Sequence, residues 1–78
     1  MKTISFYKLD GDFNSIKIVT MAWKDNKIVI VDGDKKIGEN ILSENNRISG
    51  TDKYYEGKEL FDNLPQIYCG SMFWAKED

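Results

Sequence analysis

Apolar positions run with a period of two through the first part of the chain and switch to a helical period after Val31. "TISFYKL", Thr3 to Leu9, is rich in β-branched and aromatic residues and is followed by the turn formers "DGDFNS". A strand and then a turn are expected. "SIKIVTMAW" (Ser15 to Trp23) and "KIVIV" (Lys27 to Val31) flank "KDN", where Asn26 tolerates the positive φ of a tight turn. They predict a hairpin. A two-residue loop at Asp25 and Asn26 sets Trp23 opposite Ile28 and Met21 opposite Ile30, stacking apolar pairs on one face. It also sets Lys24 opposite Lys27, an unfavourable like-charge pair, so a four-residue loop stays open as an alternative. Val19, Met21 and Trp23 share one face while Ile16, Ile18 and Ala22 share the other, which predicts a hairpin central in the sheet or covered on both sides.

In "VDGDKKIGENILSENN", Asp32 or Asp34 suits an N-cap and Ile37, Ile41 and Leu42 fall on one helical face. Gly38 inside this stretch costs about 1 kcal/mol relative to Ala, so a short, weak helix is expected from Lys35 to Ser43. "NNRISGTD" reads as a loop or a very short strand. A second helix is predicted to start near Lys53 or Tyr54, with Asp52 as cap, Glu56 in the first turn and Leu60, Phe61 and Leu64 buried. Pro65 is expected to stop it, because proline lacks an N–H and the residue before it avoids helical geometry. Gly70 then lets the chain turn into a last strand, "SMFWAKE", with Met72 and Trp74 on one face and Ser71, Phe73 and Ala75 on the other. The expected architecture is α+β: a small antiparallel sheet of about four strands, in the order strand, strand, strand, helix, helix, strand, with two helices packed on one face.

The residues Gly33-Asp34, then Gly57, Leu60, Phe61, Leu64 and Pro65, then Tyr68, Gly70, Ser71, Met72, Phe73 and Ala75 form a recognisable series. From about Lys27 to Ala75 the chain resembles small bacterial proteins and domains of unknown function. In those a strand ends in Gly-Asp, a Gly-x-x-apolar-apolar-x-x-Leu-Pro helix follows, and a Phe-x-Gly-Ser-apolar-apolar-x-Ala strand closes the pattern. Tyr68 stands in the Phe place. The chain departs where the similar proteins often read Thr-Pro, which is Lys53-Tyr54 here, and its Thr3 to Leu9 strand has no counterpart in them. The resemblance implies a fold and carries over no catalytic residue.

A chain of 78 residues has room for one domain, residues 1–78, and buries only about 60 to 65 % of the surface its unfolded form exposes. Its 41 % hydrophobic and 31 % charged content is that of a folded protein and not of a disordered tail. Eleven Lys and Arg against 13 Asp and Glu give a net charge of -2, and the longest basic run is the pair Lys35-Lys36. A nucleic-acid role, which begins with clustered cations on phosphates, is disfavoured. The start "MKTISFYKLDGDF" has neither the apolar run nor the cleavage site of a signal peptide, and the longest apolar run is Ile28 to Val31. One cysteine permits no internal disulfide. A cytoplasmic protein that does not enter the membrane is expected.

The chain contains no histidine. That removes the usual general base near neutral pH, the partner of a Ser or Cys nucleophile and the commonest zinc ligand. Cys69 follows a predicted helix C-terminus, whose negative end disfavours a thiolate. "CGS" lacks the flanking glycines of a nucleophile elbow, and Ser71 has no His to pair with. Asp10, Asp12 and Asn14 match the first ligand positions of a calcium loop, but Ser15 and Met21 stand where Gly and Glu are needed. The "DGD" of Asp32 to Asp34 reads as a turn with a cap. No phosphate-binding glycine motif occurs, and no catalytic, cofactor or metal residue is assigned.

Ten aromatic residues remain to be placed. Phe61, Phe73 and at least one Trp are needed for so small a core. Trp23, Tyr54, Tyr55, Tyr68 and Trp74 are the candidates for an exposed interaction surface, with whichever Trp faces away from the helices at its centre. The sequence therefore favours a non-catalytic module that binds a partner protein or its own copy through an aromatic sheet face. The alternative is a small-ligand or enzymatic domain with a pocket between sheet and helices.

Overall fold

The computed structural model describes residues 1–44, 55–68 and 73–78. Within them lie β1 (Thr3–Leu9), β2 (Ser15–Lys24), β3 (Lys27–Gly33), α1 (Lys35–Glu44), α2 (Gly57–Ile67) and β4 (Phe73–Glu77). The strands form one antiparallel sheet in the order β3-β2-β1-β4, so the last strand inserts beside the first. Ile4, Phe6, Val19, Met21 and Ala75 from the sheet share one buried cluster with Ile41 of α1 and Leu60, Phe61 and Leu64 of α2. Both helices thus lie on one face, and the fold is α+β.

Asp25 and Asn26 take φ of 54° and 63°, a two-residue turn whose twist matches the strands it joins. Trp23 pairs with Ile28, Met21 with Ile30 and Lys24 with Lys27. The two lysines are exposed, where water screens their repulsion, and the apolar pairs decide the register. The first connection is closed by the Asp10 carboxylate, which accepts the backbone N–H of Asp12 at 2.8 Å and of Asn14 at 2.9 Å. Those hydrogen bonds, Asn14 first, hold its pKa below the ordinary carboxylate value. Phe13 sits at the tip in left-handed geometry, φ 63°, and is 83 % exposed.

β2 lies inside the sheet, as one of the two expected alternatives had it, and a bulge accounts for the apolar Ile18. The pairing passes from Phe6↔Val19 to Tyr7↔Lys17, leaving Ile18 as an inserted bulge residue. The insertion turns Ile18 toward the core cluster, against which it packs, while Ile16 stays exposed. A second shift, between Thr20 and Met21, leaves Val31 unpaired on β3. β2 is central, and β3 is an edge.

The two bulged strands meet at Gly33. Its φ is 89°, and a Cβ there would lie 2.3 Å from the Ile18 carbonyl oxygen, so only glycine fits. The next residue, Asp34, donates its N–H to that same oxygen at 2.9 Å. Asp34 is also the cap of α1, accepting the Ile37 N–H on its carboxylate at 3.0 Å. The glycine inside α1 has its own reason. A Cβ on Gly38 would come within 2.7 Å of Ile30 Cδ1 and 3.1 Å of Val19 Cγ2, so its absence lets the helix approach the sheet.

The second helix departs from expectation at both ends. It begins at Gly57, φ 61°, with Glu56 at the cap position and no side-chain capping bond; the expected cap Asp52 lies outside the described residues. Pro65 does not end it. The helix continues to Ile67 and closes with the Tyr68 N–H on the Leu64 carbonyl at 2.9 Å. A proline this close to the C-terminus forfeits only its bond to Phe61 before the helix would have run out. Lys2 fastens α2 to the sheet, with its ammonium 3.1 Å from the Asp62 carboxylate, which Lys58 also reaches at 2.8 Å. Lys58 and then Lys2 hold the Asp62 pKa down.

Candidate interaction surface

Strand register divides the five expected surface residues. Trp23 pairs with Ile28 and lies two residues along β2 from the buried Met21, which places it on the helix side, half-buried and tilted against Phe61 at 6.3 Å between ring centres. Tyr68 follows α2 and meets Phe6 edge to face at 5.2 Å, packed against the core. Tyr55 is only 5 % exposed and belongs to the core cluster, so it is withdrawn from the surface. Tyr54 lies outside the described residues, as do Cys69, Gly70, Ser71 and Met72.

Trp74 is the member that faces away from the helices. It pairs with Tyr7 of β1, while its neighbour Ala75 pairs with Phe6 and is buried in the core. The indole stacks on the Tyr7 ring at 6.1 Å with 16° between planes, and both residues are half-buried. Lys76 and Lys17 bring their ammonium groups 5.7 Å and 6.0 Å from the centre of the Tyr7 ring. Cations attracted to a ring face steady its orientation. Tyr7 was missing from the sequence candidates, although it alternates with the core-type residues Ile4 and Phe6, and that alternation alone placed it on the other face.

Beside the aromatic pair the same face holds a polar row. Ser5 is fully buried and Thr20 is 8 % exposed, with their hydroxyl oxygens 2.9 Å apart. Ser5 donates to the Asp78 carboxylate at 2.7 Å, and Thr3 donates to the same oxygen at 2.8 Å. With the Ser5 proton committed to the carboxylate, the Thr20 hydroxyl is the donor between the two. Among the described residues no buried side-chain polar atom lacks a partner. The Ser5 hydroxyl is the largest influence holding the Asp78 pKa below its ordinary value of 3.8.

Chemically, the face offers two rings, two nearby ammonium groups and a satisfied hydroxyl row. Such groups can make stacking, cation–π and hydrogen-bonding contacts. Among the described residues no cluster of His, Cys, Asp or Glu could hold a metal ion, and no helix is long and apolar enough to cross a membrane. On the other side of the sheet, Ile4, Phe6, Met21, Phe61 and Leu64 fill the space beneath the helices, each 1 % exposed or less. No protein-family model matches the chain, and comparison with curated proteins and with solved structures finds no match either.

Proposed function

We propose that the protein is a non-catalytic interaction module that binds a partner protein across the face of its sheet that the helices leave free. One observation carries this reading: the stacked Tyr7 and Trp74 rings stay half-exposed there, although the core has no share in them. Aromatic side chains offer large contact area with little rotamer entropy to lose, which makes them effective anchors at interfaces. The buried hydroxyls beside them are already paired, so covering the face strands no polar group. A cytoplasmic setting accords with a lone cysteine. Among the described residues, Ile4, Phe6, Met21, Phe61 and Leu64 pack the space between sheet and helices that a ligand pocket would need.

A photo-crosslinking residue at position 74, compared with one at position 23, tests the proposal in cells. Position 74 should capture a defined partner and position 23 should not, and Trp74→Ala in the purified chain should abolish binding of that partner while leaving the thermal midpoint within a few degrees. Equal capture from both positions, or none from either, overturns it.

A further inference from the structure

The two edges of the sheet are not alike. On β4 the Ala75 N–H is met by the Tyr68 carbonyl at 2.9 Å, so the chain itself covers part of that edge. β3 has no such neighbour among the described residues. In a two-residue hairpin the pair flanking the turn, here Lys24 and Lys27, exchanges both hydrogen bonds, and bonded and non-bonded pairs alternate from there. Val29 therefore bonds inward to Ala22, and Ile28 and Ile30 direct their N–H and C=O groups outward. The strand has no proline, and no charge between its ends, to deter pairing.

Its ends are charged with opposite sign, Lys27 at the start and Asp32 near the finish. Both are exposed, and neither forms an ion pair among the described residues. Regular alternation would set them on opposite faces. The bulge at Val31 removes that mismatch, because Asp32 pairs with Thr20 and Lys27 with Lys24, both on the face away from the helices.

From this we infer that β3 is a self-complementary edge whose occupant is β3 of a second copy of this chain, paired antiparallel about a two-fold axis at Val29. In that register Ile28 lies opposite Ile30 of the second copy, and their outward peptide groups supply about four backbone hydrogen bonds. Lys27 comes beside Asp32 of the second copy, and the symmetry repeats the contact at the other end. A two-fold perpendicular to the sheet keeps all helices on one side, producing an eight-stranded sheet. Val31, 46 % exposed in the single chain, falls within the contact. The surface is separate from the Tyr7 and Trp74 pair.

Sedimentation equilibrium of the purified chain over a wide concentration range, with charge-reversal variants, tests this. A monomer–dimer equilibrium is expected. Lys27→Asp and Asp32→Lys should each weaken it about tenfold, since each sets like charges together at both ends of the ribbon. The double variant should restore the original dissociation constant, and Trp74→Ala should leave it unchanged. Both positions are exposed, and circular dichroism confirms that each variant is folded. A monomer at every concentration, a dimer indifferent to the single reversals, or a double variant no tighter than the singles overturns the inference.

Discussion

Replacing Gly38 by alanine sets two effects of similar size against each other. Inside a helix, alanine is favoured over glycine by about 1 kcal/mol. Against that, the new methyl would meet Ile30 Cδ1 at 2.7 Å, Ile30 Cγ1 at 3.0 Å and Val19 Cγ2 at 3.1 Å. Carbon atoms in good contact sit about 3.5 to 4 Å apart, so α1 must lift or both side chains must yield. Ile30 is half-buried and can rotate in part; Val19 is fully buried beside the Ile18 bulge and cannot. Overpacking of this kind costs about 1 to 3 kcal/mol, which outweighs the propensity gain and leaves Gly38→Ala destabilised by about 1 kcal/mol. Ile30→Val, which deletes Cδ1, isolates the contact. Alone it should cost about 1 kcal/mol, but in the alanine background almost nothing, because the vacated space receives the methyl. Urea unfolding of the four proteins, followed by circular dichroism, gives the coupling directly. A stabilised Gly38→Ala, or a coupling below about 0.3 kcal/mol, refutes the close-approach argument.

Two further outcomes are expected. Phe13→Asn should raise the thermal midpoint by relieving a left-handed conformation that costs a side-chain-bearing residue about 1 to 2 kcal/mol and that asparagine tolerates; an unchanged midpoint counts against strain at that tip. Asp78 is held below its ordinary pKa by Ser5, so its folded form binds its proton less readily than its unfolded form. Its contribution is complete above the ordinary value of 3.8 and is lost as pH falls through the depressed folded value. Chemical denaturation of wild type and Asp78→Asn should therefore converge in acid and diverge toward neutrality. Parallel curves would remove Asp78 from the acid response.

The β2 and β3 hairpin was legible from its apolar pairs, whereas the Lys24 and Lys27 pair left its loop length open; the structure has the two-residue turn at Asp25 and Asn26. The start of α1 at Lys35 followed from the aspartates before it, of which Asp34 is the cap. The bulge at Ile18 was not legible, because a single inserted residue looks like a strand with two apolar faces until its partner strand is known. The start of α2 misled because Glu56 and Gly57 resemble first-turn residues, whereas Gly57 has left-handed geometry and the helix begins there. For the candidate surface, parity alone separates Trp74 from Ala75. Choosing between them required knowing that Ala75 lies opposite Phe6, a fact held jointly by residues about 70 positions apart.

That long-range pairing has a consequence for how the sheet is assembled. β1 receives its β2 partner through the connection that follows it, but its other side is completed only by residues 73–77. During synthesis the hairpins can close early, while β1, bearing Ile4 and Phe6, presents an open hydrogen-bonding edge until α2 and β4 have left the ribosome. Contacts so distant in sequence form late, because their loop-closure entropy is offset only at the end. Of the four strands β1 is thus the earliest in the sequence and the last to gain both neighbours, and until β4 docks it carries a sheet edge that the folded protein no longer has.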